Sequence, residues 1–130
     1  MNSLNSILLE GNVTRAPDAK STAKGTTVCN FGVASNRYFH LGDAMQKETS
    51  FFEVETWSGL AEKCSTELTK GRGVRVVGRL KQERWVDAEG KKRSIIKIVA
   101  EHVEFKPQAG EAGGVEQSEE SLQEEDVILV

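Results

Sequence analysis

Basic residues are absent from the last 24 positions of this 130-residue chain. All 17 lysines and arginines lie before Pro107, so residues 1–106 carry 17 basic against 13 acidic side chains (+4) and residues 107–130 carry none against seven (−7). The formal net charge of −3 thus averages two unlike segments, a mildly basic body and an acidic arm, which imply two different partners. Cysteine is scarce as well. Cys29 and Cys64 could form at most one disulfide, neither has metal-ligand spacing, and both read as buried, reduced thiols of a cytosolic protein. No apolar run approaches the ~18 residues that cross a membrane, and no basic-then-apolar leader opens the chain. His40 and His102 lie in no metal-binding pattern, and the glycines of Gly71-Arg72-Gly73 are not followed by the Lys-Ser/Thr of a phosphate loop. Glu53 and Glu55 share one strand face but lack the Asp cluster or positioned His of a metal nuclease. No enzyme chemistry, metal or cofactor is expected.

What is present reads as short strands with one helix, enough for one domain over residues 1–106. Residues 4–14 are strand-like and lead into a turn-rich stretch. Residues 27–35 alternate, with Cys29, Phe31 and Val33 on one face. A polar loop is expected over 36–48, followed by a strand over 50–58 with Phe52, Val54 and Thr56 on one side. Phe51, Glu53, Glu55 and Trp57 take the other side. Leu60, Cys64 and Leu68 recur at i, i+4 and i+8, which predicts a helix over 59–70, capped by Ser58 and ended by Gly71. A long strand over 73–86 has Gly78 as a bulge or bend, and Val74, Val76 and Leu80 on its core side. The turn at 87–92 then leads to a final β-branched strand over 93–106. Three strands, a helix and a two-strand hairpin suit a five-stranded Greek-key barrel of the OB type, although an open α+β sheet could use the same elements. From Pro107 the composition is too polar to offset the entropy of ordering, so residues 107–130 read as a disordered acidic tail. Its end, Glu124-Glu125-Asp126-Val127-Ile128-Leu129-Val130, places four apolar residues at a free terminus, a feature that calls for a binding partner.

The body carries the ingredients of a single-strand binder. Arg75, Arg79, Lys81 and Trp85 alternate with core residues, so cations could track phosphates while a ring stacks on any base. Phe51 and Trp57 lie opposite the core face of their strand, and Phe39 sits among polar neighbours. Glu53 and Glu55 oppose this reading, unless cross-strand partners such as Arg75 or Arg79 neutralise them.

Residues 4–106 resemble the bacterial single-stranded DNA-binding protein family. The carriers are LNSILLEGNVTRAPD, GTTVCNFGVASN, TSFFEVETWSGLAEKC and LTKGRGVRVVGRLKQERWVDAEGKKRS, in that order and spacing. The resemblance implies an OB fold, a homotetramer, and DNA wrapped without sequence preference in a cytoplasmic, nucleoid-associated protein. By position it assigns base stacking to Phe39, Phe51, Trp57 and Trp85, and backbone contacts to Lys70, Lys81 and Arg84. Arg15, Arg75 and Arg79 complete the expected nucleic-acid set. It also implies that residues 124–130 dock replication, recombination and repair proteins. The chain departs from the family at Phe52-Glu53, where His-Arg is usual, and at Trp57-Ser58-Gly59-Leu60, where one basic position is lost. It departs again at the tip, where Val-Ile-Leu-Val replaces an Ile-Pro-Phe ending. Stacking alone does not distinguish DNA from RNA, so an RNA-binding OB module stays open, as does an oligomeric adaptor acting through the tail.

Overall fold

A computed structural model of the chain describes residues 1–107. The elements are β1 (Ile7–Val13), β2 (Asp18–Ser21), β3 (Thr27–Leu41), β4 (Ala44–Trp57), α1 (Ser58–Glu67), β5 (Gly73–Val86) and β6 (Lys92–Phe105). Closure can be followed pair by pair. β1 runs antiparallel to β5 from Ile7 to Asn12, and β5 runs antiparallel to β6. β6 meets β4 in parallel at Val54–Ile98 and Glu55–Val99. β4 pairs with β3, and β3 returns to β1 at Asn12–Ala34 and Val13–Val33. The five long strands therefore form a closed barrel of the OB type with one helix between its third and fourth long strands, which decides against the open sheet.

The interior follows from the two-residue period of the strands. Cys29, Phe31 and Val33 from β3 meet Val54, Val74, Val76, Ile98, Ala100 and Val103, with Phe31 wholly buried at 0% exposure. Two glycines let backbones cross closely enough to close the barrel. A Cβ at Gly11 would strike the backbone of Ala34, and one at Gly78 would strike that of Val99 and Ala100. The irregularity falls at Gly78, but the bulged strand is its partner: Val77 faces His102 and Gly78 faces Ala100, so the extra residue is Glu101 of β6. Both cysteines are buried and unbridged.

Four local expectations are corrected. The polar loop over 36–48 is instead the outer part of a hairpin, in which β3 and β4 stay in register to Leu41–Ala44. Only Gly42 and Asp43 turn the chain, with Gly42 at φ 66°, a conformation glycine adopts without a Cβ penalty. The stretch before Thr27 contains β2, which pairs Asp18–Ser21 with Thr27–Asn30 of β3. Leu80 is exposed although its ladder partner Ile98 is buried and pairs with Val54, because it sits at the rim where β5 and β6 begin to leave the barrel as a hairpin.

The helix is also shorter than expected. It starts without a side-chain cap, since β4 runs straight into it through Trp57, and Ser58 turns the chain at φ 56°. It stops at Glu67, not at Gly71, because Leu68 turns to extended backbone (ψ 140°). That turn buries the Leu68 side chain beside Ala61 and Cys64. The apolar stripe itself packs as its spacing predicts.

Candidate nucleic-acid interface

Outward-pointing residues of β4, β5 and β6 build one continuous face. On β4 the alternation that buries Val54 and Thr56 turns Phe51, Glu53, Glu55 and Trp57 outward. On β5 it turns out Arg75, Arg79, Lys81, Glu83 and Trp85. On β6 the partners of Lys81 and Trp85 are Lys97 and Arg93. The rings are available: Phe51 is 67% exposed, Trp57 41% and Trp85 49%. Trp85 borders an open cleft of about 460 Å³ at the hairpin tip, lined also by Arg84, Val86, Lys92, Arg93 and Ser94.

Local chemistry explains the shape of that tip. Asp87 Oδ1 accepts the backbone N–H groups of Glu89 and Lys91, each at 2.9 Å, while Gly90 supplies the positive φ of the turn. Oδ2 of Asp87 takes the Arg93 guanidinium at 2.9 Å, fixing a cation across the ladder from Trp85. Arg93 first, and then the turn amides, hold the Asp87 carboxyl below its usual range. Arg84 reaches Gln82 Oε1 at 2.7 Å along its own strand.

The acidic residues of this face are neutralised, but not by the arginines expected. Glu53 pairs with Arg15 at 2.7 Å. The guanidinium can cross β3 because position 32 is glycine, where a Cβ would stand 2.7 Å from Arg15 Nη1. Glu55 is only 5% exposed and pairs with Lys97 at 2.6 Å and Lys81 at 3.9 Å. It also accepts the Trp57 indole N–H at 2.9 Å. Burial raises the Glu55 carboxyl, but hydrogen bonds from Lys97 and Trp57 together with the lysine charges outweigh it, so the net direction is downward. Lys97 also pairs with Glu83, so one chain of polar contacts joins β4, β6 and β5 between Trp57 and Trp85.

Arg75 is engaged elsewhere. Its guanidinium bonds Glu10 at 2.8 Å and approaches Glu104 at 3.5 Å. Six residues separate it from Lys81, about 20 Å along an extended strand.

The remaining expected residues are placed unevenly. Arg79 is exposed opposite Val99 and has no carboxylate partner among the described residues. Lys70 is exposed in the turn between α1 and β5, beside Gly71, whose N–H donates to the Val13 carbonyl. Phe39 lies on the outer β3–β4 hairpin, and the alternation of that ladder puts it on the pleat face opposite Phe51. One side of its ring is covered by the Arg37 guanidinium, 4.6 Å from the centroid. The structure therefore brings together Phe51, Trp57, Trp85, Arg15, Arg79 and Lys81 on the outer barrel face and its hairpin. It leaves Arg84 beside Trp85 at the cleft but on the other pleat face of the ribbon, and puts Phe39 on the opposite face and Arg75 about 20 Å from Lys81 along β5. Residues 124–130 lie outside the described residues.

Matching against families of known proteins settles the kinship. Residues 4–106 match the single-strand binding protein family. The chain belongs to that family. It is 38% identical over 105 residues to a single-stranded DNA-binding protein of Treponema pallidum, covering 81% of this chain and 59% of that one. It is 36% identical over 127 residues to the Aquifex aeolicus protein of the same description, covering 95% of this chain and 86% of that one. The Caldanaerobacter subterraneus relative is 33% identical over 124 residues, with 95% and 82% covered. Among solved structures, the fold matches that of a Plasmodium falciparum SSB complex with ssDNA, at a TM-score of 0.76 and 24% identity. That match covers 82% of this chain and 98% of the other.

Two residues of this face escaped sequence reasoning. Lys97 stands alone in the apolar run Ile95-Ile96-Lys97-Ile98-Val99, and the signal was there: a single cation facing Lys81 in a hairpin implies a carboxylate between them. Arg93 was hidden because its role depends on the Asp87 turn.

Proposed function

We propose that this protein binds single-stranded DNA without sequence preference, as a binder and not a catalyst. The observation that carries this reading is the set of half-exposed rings, Phe51, Trp57 and Trp85, on one outer face with Lys81 and Arg93, Arg84 bordering the cleft beside Trp85, in a chain that matches the single-strand binding protein family over residues 4–106. Such rings stack on bases of any identity, at about 1–3 kcal/mol per base, while cations track the backbone. Held this way, an exposed strand cannot reanneal and is shielded from nucleases during replication, recombination and repair. Arg79, Lys70, Arg75 and Phe39 extend the contact path around the barrel. The protein acts as a homo-oligomer, a tetramer, and the acidic tip at residues 124–130 recruits partner proteins. Its Val-Ile-Leu-Val ending fits partner pockets of a different shape from those that take an aromatic terminus.

Titration with oligo-dT, followed by tryptophan fluorescence at several salt concentrations, tests the reading. Strong quenching that weakens with salt is expected from stacking plus counterion release. Absence of quenching would leave an adaptor acting through the tail, and equal or tighter binding of oligo-U would make the module an RNA binder. Deleting residues 107–130 removes seven acidic side chains and should leave DNA binding intact or stronger.

A further inference from the structure

Glu55 is a carboxylate in the middle of the ring-bearing face, and an anion there runs against phosphate binding. It is nonetheless built in. The side chain is almost fully buried, one oxygen accepts the Trp57 N–H, and the other lies 2.6 Å from Lys97 Nζ. The Lys97 side chain is itself only 11% exposed and is shared with Glu83. A phosphate could reach Lys97 only by displacing a carboxylate already in place. A cation neutralised within the protein has no bound counterion for DNA to release, so it adds nothing to the salt dependence. The same carboxylate fixes the indole by its N–H edge and leaves the ring face to solvent.

We propose that Glu55 is a positioning residue of the nucleic-acid face: it holds the Trp57 ring ready for stacking and keeps Lys97 from pairing with phosphate. At this point the strand is then held by the ring and not by charge. The inference rests on the single-strand DNA reading above and explains how a body of only +4 carries such a face.

Glu55→Gln separates the two roles, because the amide oxygen still accepts the indole N–H while the charge is gone. Lys97 then shares only Glu83, whose side chain is 41% exposed, and such a surface pair is weak enough for phosphate to displace. Oligo-dT affinity at low salt is expected to rise by roughly 3- to 10-fold. The slope of log K against log salt should steepen by about 0.7, the value for one freed cation on a single strand. The tryptophan emission of the free protein should be unchanged. An unchanged slope in a variant with native circular dichroism would overturn the proposal.

The double variant Glu55→Val with Lys97→Met asks the same question with an apolar pair, a replacement that buried ion pairs commonly tolerate. Here the slope should match the unmodified protein, because the pair lent no charge to DNA, while the emission maximum shifts as Trp57 loses its acceptor. A slope shallower by about 0.7 would show Lys97 on phosphate in the unmodified protein and refute the inference. If the unmodified protein fails to bind oligo-dT, the single-strand DNA reading falls. The emission shift then judges the ring-holding role by itself: its presence keeps that role and its absence removes it.

Discussion

The barrel proper and the two hairpins that project from it obey different rules. Within the barrel the buried inward positions are apolar except Thr56, whose hydroxyl donates to the Cys29 carbonyl, and even Gly11 is dictated by the backbone that crosses it. Its last rungs shared with β4 are Val54–Ile98 and Glu55–Val99, beside Leu80 and Arg79. From that rim outward, β5 with β6 and the outer part of β3 with β4 are two-stranded ribbons that expose Leu41, Met45, Leu80, Trp85, Val86 and Ile96. A two-stranded ribbon has little core of its own and depends on the barrel for its register. The contrast teaches that stability resides in the barrel and that much of the binding surface lies on or beside elements contributing little to it.

The comparison can be broken most sharply at Phe31. Phe31→Ala removes the largest wholly buried side chain and should cost about 3–5 kcal/mol in denaturant unfolding. Oligo-dT affinity per folded molecule should be unchanged; a parallel loss of affinity would mean that core and face are not separable. The converse experiment is Trp85→Ala, expected to cost about 1–3 kcal/mol of DNA binding. Because that ring is half exposed on the ribbon, the unfolding midpoint should hardly move, and a large drop would place Trp85 in the fold.

Acid titration sharpens the boundary where Glu55 joins the two regions. Its folded carboxyl lies below its ordinary value, so the stability it contributes is present above the unfolded value, near pH 4.3, and is lost as pH falls through the folded value. Unfolding measured from pH 6 to pH 3 should therefore show a loss of stability that shrinks in Glu55→Gln. Identical pH profiles would remove Glu55 from the balance. The smallest effect belongs to Ser58. Its φ of 56° is costly for a residue with a Cβ, so Ser58→Gly should stabilise by up to about 1 kcal/mol, the relief being partly offset by added freedom in the unfolded chain. A loss in thermal or denaturant stability would show that the hydroxyl matters.

Legibility in the sequence follows the same division. Where burial dictates residue choice, as in Cys29-x-Phe31-x-Val33 or the Leu60, Cys64, Leu68 stripe, periodicity was sufficient, and the irregularity at Gly78 could be placed from one residue. Where burial is weak it was not: Asn36 to Glu48 mix polar with apolar residues on a ribbon that is mostly exposed, with no clean alternation, and were read as a loop. The helix ends were missed for another reason, since Trp57 and Leu68 terminate α1 through tertiary packing and not through capping chemistry. The outward placement of Phe51, Trp57 and Trp85 was readable from alternation, but the partners of Glu53 and Glu55 were not. Those partners depend on which strands the barrel closure brings side by side, and a parallel contact as short as that between β4 and β6 leaves no local signal.

The two thiols give the molecule a built-in clock. Burial raises Cys29, and burial first, then the neighbouring Cys29, pushes Cys64 up to about 12, so neither is a nucleophile at neutral pH while the fold is closed. An alkylating reagent must wait for an opening event, and because Cys64 of α1 and Cys29 of β3 share one buried cluster, lifting the helix uncovers both. Equal reaction rates at the two sites, resolved by mass spectrometry, would mark helix departure as that event, and a slower Cys29 would mark a further opening of the strands.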